Sequence, residues 1–543
     1  MQNLKTMNFD PQYIPYPSSR FPIYAREGMV AASSPQAAAA GLEALRAGGN
    51  AVDAAVASAA ALTVVEPCSN GIGSDAFAIV FSGGKLHGLN ASGKSPANIS
   101  IEKLLAAKPG LEAMPASGWA PVMVPGAPAA WAALSERFGK LPLATVMEPA
   151  IRYAREGYPL SPNLPAAFAK MADRLKSENG SEVFNEWFKT FLPGQEIPKP
   201  GDILVLKNHA ETLAAIAETK AGAFYRGELA DRIVKDSGEF GGFFSKEDFS
   251  SYECEWVEPV SVNYRGYDVW EIPPNGQGIT ALMTLNILKE FEFSQRESVD
   301  TFHKHWEAMK LAFSDALAHI TDPKYMREDF HEWLRPEYGA RRAREITEAA
   351  GLPKAEHPPK SGTVYLCTAD REGNMVSYIQ SNYMGFGSGV VIRGTGISLQ
   401  NRGHDFSLDP KAPNALAPNK KCYHTIIPGF LTKNGKALGP FGVMGAYMQP
   451  QGHVQVVTNL IDFGLNPQQA LDAPRWQWTK GKSFIVESRF SDEITRALIR
   501  RGHEASVSLD TPLFGRGQII LREENGTLVG ATESRTDSNI ACW

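Results

Sequence analysis

The sequence has 543 residues, 43% hydrophobic and 21% charged, which is enough to bury a large core in one domain or in two or three smaller ones. Its 54 Lys and Arg residues nearly balance 59 Asp and Glu residues, and the net charge of -5 excludes the basic surface that nucleic-acid-binding proteins carry. Five scattered cysteines without a CxxC pair argue against a disulfide framework and a structural zinc site.

The N-terminal region shows no targeting segment. Residues 1–30 lack the apolar core of a secretory signal. The apolar stretch 51–65 contains Asp53 and is too short to span a bilayer. We therefore expect a cytoplasmic protein that does not enter the membrane.

Two adjacent helices are predicted near the N-terminus. Ser34 is a suitable N-cap, Pro35 suits the first helical position, and Gly48-Gly49 ends this first helix. Asn50 then caps a second helix that runs to Val65. Both helices carry alanine on several faces, which is typical of helices that press closely against other layers. A short buried strand is predicted after them, over residues 76–81.

The central and C-terminal parts combine a long helix, a connector and a hairpin. Apolar residues at helical spacing predict a helix over Thr301–Ile320, which ends at Asp322-Pro323. Residues 336–362 are charged and then rich in Pro and Lys, as expected of an exposed connector. The strands VYLCTA and MVSYI follow on either side of a turn. These alternating signals predict a mixed α/β or α+β protein.

Thr363 stands where the connector meets the first strand of this hairpin. A threonine hydroxyl is a poor nucleophile unless a base takes its proton. Cleavage of the Gly362–Thr363 bond would give Thr363 a free α-amine, with a pKa of roughly 7.7–8.0, beside its own hydroxyl. An ordinary threonine at a loop-to-strand junction is the alternative.

The hairpin suggests a partner for Thr363. If Ala369 pairs with Met375, Thr363 lies opposite Ser381 and the two side chains share a face. A register shifted by two residues would leave them as diagonal neighbours, whereas a shift of one would place them on opposite faces. A structural Thr–Ser pair without a catalytic role is the alternative.

Several separate segments resemble the γ-glutamyltranspeptidases in order and spacing, from about Gly28 to the ESRTD motif near the C-terminus. They are GMVAASSPQAAAAGLEALRAGGNAVDAAVASAAALTVVEP, NGIGSDAF, VPGAPAAW, YRGYDVWEIPPNGQG, AFSDALAHITDP, SGTVYLCTADREGN, GFGSG, LQNRGHDFS and GPFGVMGAYMQPQGHVQ.

The resemblance implies an α+β fold, a four-layer αββα sandwich of the N-terminal-nucleophile hydrolase type. It implies a precursor that is cut into a large subunit, 1–362, and a small catalytic subunit, 363–543, which form one intertwined domain. Thr363 is then the nucleophile and Ser381 its hydroxyl partner. Gly445-Ala446 matches the backbone N–H pair that holds the oxyanion, where the family usually has Gly-Gly.

The residues that would recognise glutamate depart from the family's pattern. Ser92 stands in place of the arginine that holds the substrate's α-carboxylate, and Lys420-Lys421 replaces a serine pair. The substrate-binding shell that the resemblance implies consists of Asn382, of Tyr383 where an asparagine is expected, of Arg402 where a glutamine is expected, and of Asp405, which matches the residue that binds the α-amine.

Arg402 has two readings. It could replace the missing arginine by a bidentate grip on a carboxylate, or it could form a salt bridge with Asp405 or another acid. These substitutions resemble the branch that contains cephalosporin-acylase-like proteins and oxamate amidohydrolases.

Other candidate residues are weaker. His424 and His453 could touch substrate, but core histidines are commoner. Cys367 lies on the same side of its strand as Thr363 and is predicted to be a buried small hydrophobe. The glycine-rich GFGSG does not fit a dinucleotide site, and no metal-binding motif is apparent, so neither a metal nor a cofactor is predicted.

The sequence thus predicts an autoprocessed acyl-amide hydrolase or transferase, formally of the γ-glutamyl class. An amidohydrolase for a short acid amide such as oxamate, or a glutaryl or cephalosporin-type acylase, is the first alternative. A non-catalytic relative is the second. The expected partners are a small-molecule amide or γ-glutamyl substrate and the two subunits of the precursor, without nucleic acid or membrane, and a homodimer is left open.

Overall fold

The computed structural model describes residues 20–178, 182–352 and 362–543, and places two large sheets face to face between layers of helices. The strands are β1 (Ile23–Ala25), β2 (Gly28–Ala32), β3 (Asp75–Ser82), β4 (Lys85–Ala91), β5 (Tyr158–Pro159), β6 (Ile203–Leu204), β7 (Glu255–Val257), β8 (Val260–Tyr264), β9 (Tyr267–Glu271), β10 (Gly362–Asp370), β11 (Met375–Tyr383), β12 (Gly429–Lys433), β13 (Lys436–Met444), β14 (Trp476–Lys480), β15 (Ser483–Glu487), β16 (Glu504–Ser508), β17 (Arg516–Arg522), β18 (Leu528–Thr532) and β19 (Asn539–Cys542).

The helices flank these strands along the whole chain. The α-helices are α1 (Pro35–Arg46), α2 (Ala51–Val65), α3 (Ile101–Ala107), α4 (Ala127–Phe138), α5 (Leu143–Glu156), α6 (Pro165–Ser177), α7 (Asn185–Phe191), α8 (Lys207–Thr219), α9 (Gly222–Arg226), α10 (Glu228–Glu239), α11 (Lys246–Ser250), α12 (Gly278–Leu288), α13 (Val299–His319), α14 (His331–Leu334), α15 (Pro336–Ala343), α16 (Met448–Ile461), α17 (Pro467–Asp472) and α18 (Asp492–Arg500). Short 3-10 helices span Glu182–Phe184, Pro323–Tyr325, Arg402–Asp405 and Thr511–Phe514.

Both large sheets are antiparallel. In the described part of the chain the first has the strand order β19-β2-β10-β11-β3-β4-β7, and the second has the order β1-β18-β17-β13-β12-β9-β8. Each sheet combines strands from before and after residue 363. A small three-stranded sheet, β14-β15-β16, lies apart from them.

The apolar core is divided into layers. Apolar side chains from the facing surfaces of the two sheets form one cluster, which includes Phe77, Tyr365, Phe430 and Ile520. A second cluster joins the outer face of the first sheet to α1, α2, α4, α5 and α8. A third joins the second sheet to α12, α13 and α16. The structure therefore confirms the predicted four-layer αββα sandwich.

Both predicted N-terminal helices are confirmed, but their caps differ. Ser34 takes the N-cap position of the first helix without a capping hydrogen bond from its side chain. The Asn50 side chain accepts hydrogen bonds from the backbone of Val52 and Asp53, and Asp53 accepts one from the backbone of Asn50 in return. Every residue of α2 is buried, as its alanine-rich faces predict. Small side chains allow this helix to lie directly on β10 and β11, the hairpin that carries Thr363.

The other predicted elements also occur in the structure, although the strand predicted from MVSYI continues beyond that segment to Tyr383. The predicted strand 76–81 is β3, and the long helix predicted over Thr301–Ile320 is α13. The predicted connector, 336–362, begins with α15, and its segment 353–361 lies outside the described residues. None of the described helices combines the length and apolar character that a membrane span requires.

Gly442 on β13 allows the two sheets to approach each other beside the nucleophile hairpin. A Cβ atom at Gly442 would lie 2.5 Å from the ring of Tyr365, which is two residues from Thr363. The Tyr365 hydroxyl is hydrogen-bonded to Ser377 at 2.8 Å, so the ring cannot easily move aside.

We expect Gly442→Ala to lower the free energy of unfolding by about 1–3 kcal/mol, because the added methyl overpacks the space between the sheets. Gly238→Ala in α10 is the matched control, since nothing lies within 4 Å of its Cβ position, and it should be neutral or stabilise by about 0.5–1 kcal/mol. Thermal and denaturant unfolding of both variants measures this. Equal stability of the two variants would contradict the packing argument.

Candidate active site

Thr363 and Ser381 meet as the hairpin register predicts. Ala369 pairs with Met375, and the same register runs along the hairpin to Val364 and Gln380 before a bulge at its open end. The Thr363 and Ser381 hydroxyl oxygens lie 3.0 Å apart, and both residues are fully buried. The bulge leaves Gly362 opposite Tyr383, so the strand is irregular at the proposed cleavage site.

The sheet places a third polar side chain beside this pair. Asp75, the first residue of β3, lies directly opposite Ser381 in the antiparallel ladder. Directly opposed residues point to the same face. This face lies between the two sheets, because Phe77 and Ile379, two residues further along, belong to the apolar cluster there. Asp75, Ser381 and Thr363 thus form a row across three neighbouring strands.

The Ser381 hydroxyl is surrounded by hydrogen-bonding groups. The backbone N–H of Tyr383 donates to Ser381 Oγ at 2.8 Å, and Arg402 Nη2 donates to it at 3.2 Å. A serine hydroxyl has two lone pairs and one proton. With both lone pairs engaged, the proton is directed either to the Gly362 carbonyl oxygen at 3.1 Å or to Thr363 Oγ1. The first direction would polarise the carbonyl group next to Thr363, and the second would hold the Thr363 hydroxyl in place.

Arg402 is completely buried and is held on several sides. Its Nη1 donates to Thr425 Oγ1 at 2.6 Å, and its guanidinium group lies 4.3 Å from the centre of the Tyr383 ring. The acid within salt-bridge distance is Asp75, at 3.9 Å from Nε. Arg402 therefore faces an acid, as one of the two interpretations predicts, but this acid is Asp75 and not Asp405. Its Nη2 edge contacts Ser381, and a grip on a substrate carboxylate stays a prediction.

Asp405 is held by two tyrosines. The Tyr383 and Tyr447 hydroxyls both donate to Asp405 Oδ1, the latter at 3.4 Å. The second carboxylate oxygen, Oδ2, is buried and has no hydrogen-bond partner within the described ranges. Burial raises the pKa of Asp405 to about 6, although the nearby charge of Arg402 acts in the opposite direction.

Gly445 and Ala446 lie between the end of β13 and the start of α16. Their φ angles are +143° and +54°, so both adopt conformations that favour glycine. Gln277 Nε2 donates to the carbonyls of Ala446 and Thr425, at 2.8 and 2.6 Å. Because Thr425 binds Arg402, this amide connects the predicted oxyanion segment to the group around Thr363.

Some residues of the predicted recognition shell do not face this group. Asn382 lies between Ser74 and Ser398, to which its amide is hydrogen-bonded at 2.8 and 3.2 Å. These contacts indicate that Asn382 holds the neighbouring loops together. They do not indicate the predicted contact with substrate. Ser92, at the position of the family's arginine, donates to Asn90 Oδ1 at 2.7 Å and is buried.

The two lysines also turn away from the nucleophile. Lys420 Nζ donates to the backbone carbonyls of Pro413 and Ala415, at 2.7 and 2.9 Å. Lys421 Nζ forms an ion pair with Glu255 at 2.7 Å. In the described chain, Arg402 is therefore the cation that contacts the hydroxyl pair.

The weaker candidates are core residues. His453 is hydrogen-bonded to Glu271 at 2.6 Å, and His424 to Asp75 at 3.0 Å, with all four side chains buried. Cys367 belongs to the apolar cluster between the sheets, where burial raises the pKa of its thiol well above the usual range. The expectation that these three residues pack in the core agrees with the structure, although His424 proves to border the site.

One group of described residues has metal-ligand spacing. Potential ligand atoms of His303, Glu307 and His503 lie within 4.8 Å of one another. Lys310 Nζ lies 2.5 Å from Glu307 Oε1, so an ammonium group already provides the positive charge that this carboxylate requires. We assign no metal to this cluster.

Sequence reasoning missed three site residues that come from distant segments. Asp75, Thr425 and Tyr447 each contact Arg402 or Asp405. The signal for Asp75 was its polar side chain at the start of the otherwise apolar strand DAFAIVF. Thr425 and Tyr447 lie in irregular segments and gave no comparable local signal.

Comparison with known proteins agrees with this arrangement. The family model described as Gamma-glutamyltranspeptidase matches residues 37–543. The glutathione hydrolase-like proenzyme YwrD of Bacillus subtilis is 38% identical over 515 residues, 92% of this chain and 95% of the relative. The oxamate amidohydrolase proenzyme of Klebsiella pneumoniae is 33% identical over 527 residues, 95% of this chain and 98% of the relative.

A solved structure extends the similarity to three dimensions. The crystal structure of a cephalosporin acylase from Bacillus halodurans is 57% identical in sequence, covers 99% of both chains and superposes with a TM-score of 0.96. Taken with the family match over nearly the whole chain, this identifies the protein as a member of the γ-glutamyltranspeptidase family, an autoprocessed hydrolase or transferase.

Proposed function

We propose that this proenzyme cuts itself between Gly362 and Thr363 and then hydrolyses amides of a short acyl group that carries a carboxylate. The observation that carries the proposal is the position of the Ser381 hydroxyl, within hydrogen-bond distance of both the Thr363 hydroxyl and the Gly362 carbonyl oxygen. The attacking oxygen and the carbonyl group that it must attack are therefore both held by one hydroxyl.

In the self-cut, Thr363 Oγ1 attacks the Gly362 carbonyl carbon and the peptide C–N bond breaks. The acyl group moves from nitrogen to oxygen, and the Thr363 nitrogen takes up a proton to become an amine. Water then hydrolyses the ester, which leaves a carboxylate on Gly362 and restores the Thr363 hydroxyl. Arg402 lies against Ser381 and stabilises the negative charge that develops during the attack.

In the turnover reaction, the new α-amine accepts the proton of the Thr363 hydroxyl as it attacks the substrate's amide carbonyl. Backbone N–H groups of Gly445 and Ala446 would hold the resulting oxyanion, beside the N-terminus of α16. The amine of the substrate leaves with a proton, and water hydrolyses the acyl ester. Fully buried surroundings strengthen each of these electrostatic contributions.

The shortness of the acyl group follows from where the cation lies. Arg402 and the Thr363 hydroxyl both contact the Ser381 hydroxyl, at 3.2 and 3.0 Å. A carboxylate that pairs with Arg402 would therefore lie close to the acyl carbon under attack, as in oxamate, where the two carbons are bonded. Tyr383, which is buried, fills the space between Arg402 and Asp405. This side chain therefore limits the length of the acyl chain that the site can hold.

A γ-glutamyl compound is the second candidate, and Asp405 favours it. The buried Oδ2 atom of Asp405 has no partner in the described chain, and an ammonium group would satisfy it. The resemblance gives this residue the same role. The 57% identity to a cephalosporin acylase supports an acyl amide with a larger amine as a third substrate to test.

Cleavage would leave the products bound to each other. β10 and β11, from residues 363–543 apart from Gly362, lie between β2 and β3, which come from residues 1–362. We therefore propose that 1–362 and 363–543 are subunits of one folded body. The cytoplasmic location and the homodimer stay predictions.

We expect Thr363→Ala to remain a single uncut chain without amidase activity, because the attacking oxygen is gone. Thr363→Ser keeps a hydroxyl and should still be cut, into fragments that elute together in gel filtration. Intact-mass spectrometry and N-terminal sequencing of the smaller fragment measure this. An active wild-type enzyme that consists only of full-length chain would reject the proposed nucleophile.

The substrate class is tested with oxamate, γ-glutamyl-p-nitroanilide and a cephalosporin with a glutaryl side chain. We expect kcat/KM for oxamate to exceed that for the γ-glutamyl compound by about tenfold or more, the effect of one charge-assisted hydrogen bond placed near the acyl carbon. Rapid γ-glutamyl transfer to dipeptides would instead favour the second candidate. A Thr363→Ala sample is the blank for all three, and turnover of any of them excludes a non-catalytic relative.

Asp405 should make the binding of amino-bearing substrates depend on pH. Its carboxyl group loses its charge as the pH falls through a pKa of about 6, and with the charge it loses the attraction for an ammonium group. KM for a γ-glutamyl compound should therefore rise relative to KM for oxamate, by up to about tenfold for each pH unit below that pKa. Asp405→Asn should abolish this change in the KM ratio. An unchanged ratio between pH 5 and 8 in the wild type would show that Asp405 binds no amine.

A further inference from the structure

Arg402 is a buried cation whose charge must be balanced nearby. Its side chain is 1% exposed, and its Nε atom has no hydrogen-bond partner among the described residues. A buried charge is costly unless an opposite charge lies close to it. Asp75, whose side chain is fully buried, is the carboxylate within salt-bridge distance, at 3.9 Å from that Nε atom.

The remaining contacts of Asp75 are to uncharged groups. The backbone N–H of Gly93 donates to its Oδ1 atom at 3.3 Å. His424 Nδ1 accepts a hydrogen bond from the Ile426 backbone at 3.4 Å, so the proton of this histidine is on Nε2, which donates to Asp75 Oδ2 at 3.0 Å. Burial lowers the pKa of His424 well below its usual value, which keeps the ring neutral.

Lys421 is the other cation close enough to influence Asp75, but it is bound to Glu255 at 2.7 Å. Arg402 therefore provides the positive charge that Asp75 faces. Tyr383 lies between Asp405 and Arg402. Its hydroxyl donates a hydrogen bond to Asp405, and its ring lies against the guanidinium group of Arg402. Asp75 and Arg402 are thus each other's nearest opposite charge in the described chain.

We propose that Asp75 is a positioning residue, which with His424 fixes the guanidinium group of Arg402 against the Ser381 hydroxyl and thereby orients the Thr363 nucleophile. The inference rests on the proposed roles of Thr363 and Arg402 and adds a residue behind them. Asp75 draws the Nε edge of the guanidinium to one side, and the Nη2 atom on the other edge meets Ser381 Oγ. The strand register supports this, since β3 places Asp75 directly opposite Ser381.

A double-mutant cycle on Asp75→Asn and Arg402→Gln tests this proposal. Self-cleavage of freshly purified precursor is followed by mass spectrometry, together with kcat and KM for the best substrate of the panel. We expect Asp75→Asn to slow self-cleavage and lower kcat/KM by about tenfold or more when Arg402 is present. In the Arg402→Gln background, the same change should have an effect of less than about twofold.

Glu271→Gln is the matched control, because Glu271 is likewise a fully buried carboxylate bound to a buried histidine, His453, at 2.6 Å. Its polar partner among the described residues is His453, which lies outside the group around Thr363. Glu271→Gln should change the rates of self-cleavage and of substrate turnover by the same factor in the wild-type and in the Arg402→Gln background. Only coupling that is specific to Asp75 supports the proposal.

Each other outcome has a defined meaning. Equal effects of Asp75→Asn in both backgrounds would overturn the inference and leave Asp75 as a structural residue that holds the loop of Gly93. If Asp75→Asn fails to fold but the double variant folds, the charge pairing is supported, since removal of both charges leaves neither unpaired. If the double variant also fails to fold, the inference is wrong.

The readouts separate this inference from the proposed substrate. Self-cleavage needs no added substrate, so the cycle can be measured even if no carboxylate-bearing amide is turned over. In that case the proposed substrate class fails while coupling in the self-cut still supports Asp75. A wild-type chain that neither cuts itself nor turns over any amide would overturn both.

Discussion

The site depends on one hydroxyl group, that of Ser381, which has a single proton to give and four polar groups around it. The Tyr383 N–H and the Arg402 guanidinium direct hydrogens at its oxygen, so its own proton is left for Thr363 or for the carbonyl of Gly362. The bond to the carbonyl oxygen would stabilise the charge that develops there in the proposed self-cut, and the bond to Thr363 would hold its hydroxyl in place. Tyr383 and Arg402 donate to the Ser381 oxygen and therefore cannot accept its proton, which leaves Thr363 and Gly362 as the acceptors.

Local rules were sufficient for the elements that deliver Thr363 and Ser381 to each other. Asn50 and Asp53 predicted the start of α2, whose small residues allow it to lie on the hairpin. The pairing of Ala369 with Met375 set the register from the length of one turn, and period-two alternation then placed both hydroxyls on the same face. These inferences need only residues that are close in sequence, which is why the sequence alone supports them.

The neighbours of Arg402 required three-dimensional information. Asp75 is far from Arg402 in sequence, and it reaches the site because β3 pairs with β11. The family pattern identified position 402 as altered, but it could not show which acid would balance the new charge. Asn382 was predicted from the same pattern to bind substrate. Its neighbour Ser381 contacts Thr363, whereas the Asn382 side chain binds Ser74 and Ser398.

The interleaved strand order also fixes a sequence of events in the life of the chain. β10 and β11 become central strands only when β2 and β3 are already beside them, and the bond before Thr363 is presented to Ser381 only in that assembled sheet. In the proposed self-cut, folding therefore precedes cutting, and the intact polypeptide is the unit that folds. Either fragment synthesised separately would expose long, unpaired sheet edges, which are prone to aggregate. The proposed cut would then be irreversible, because a cut enzyme that is denatured no longer has the single chain from which its sheets were built.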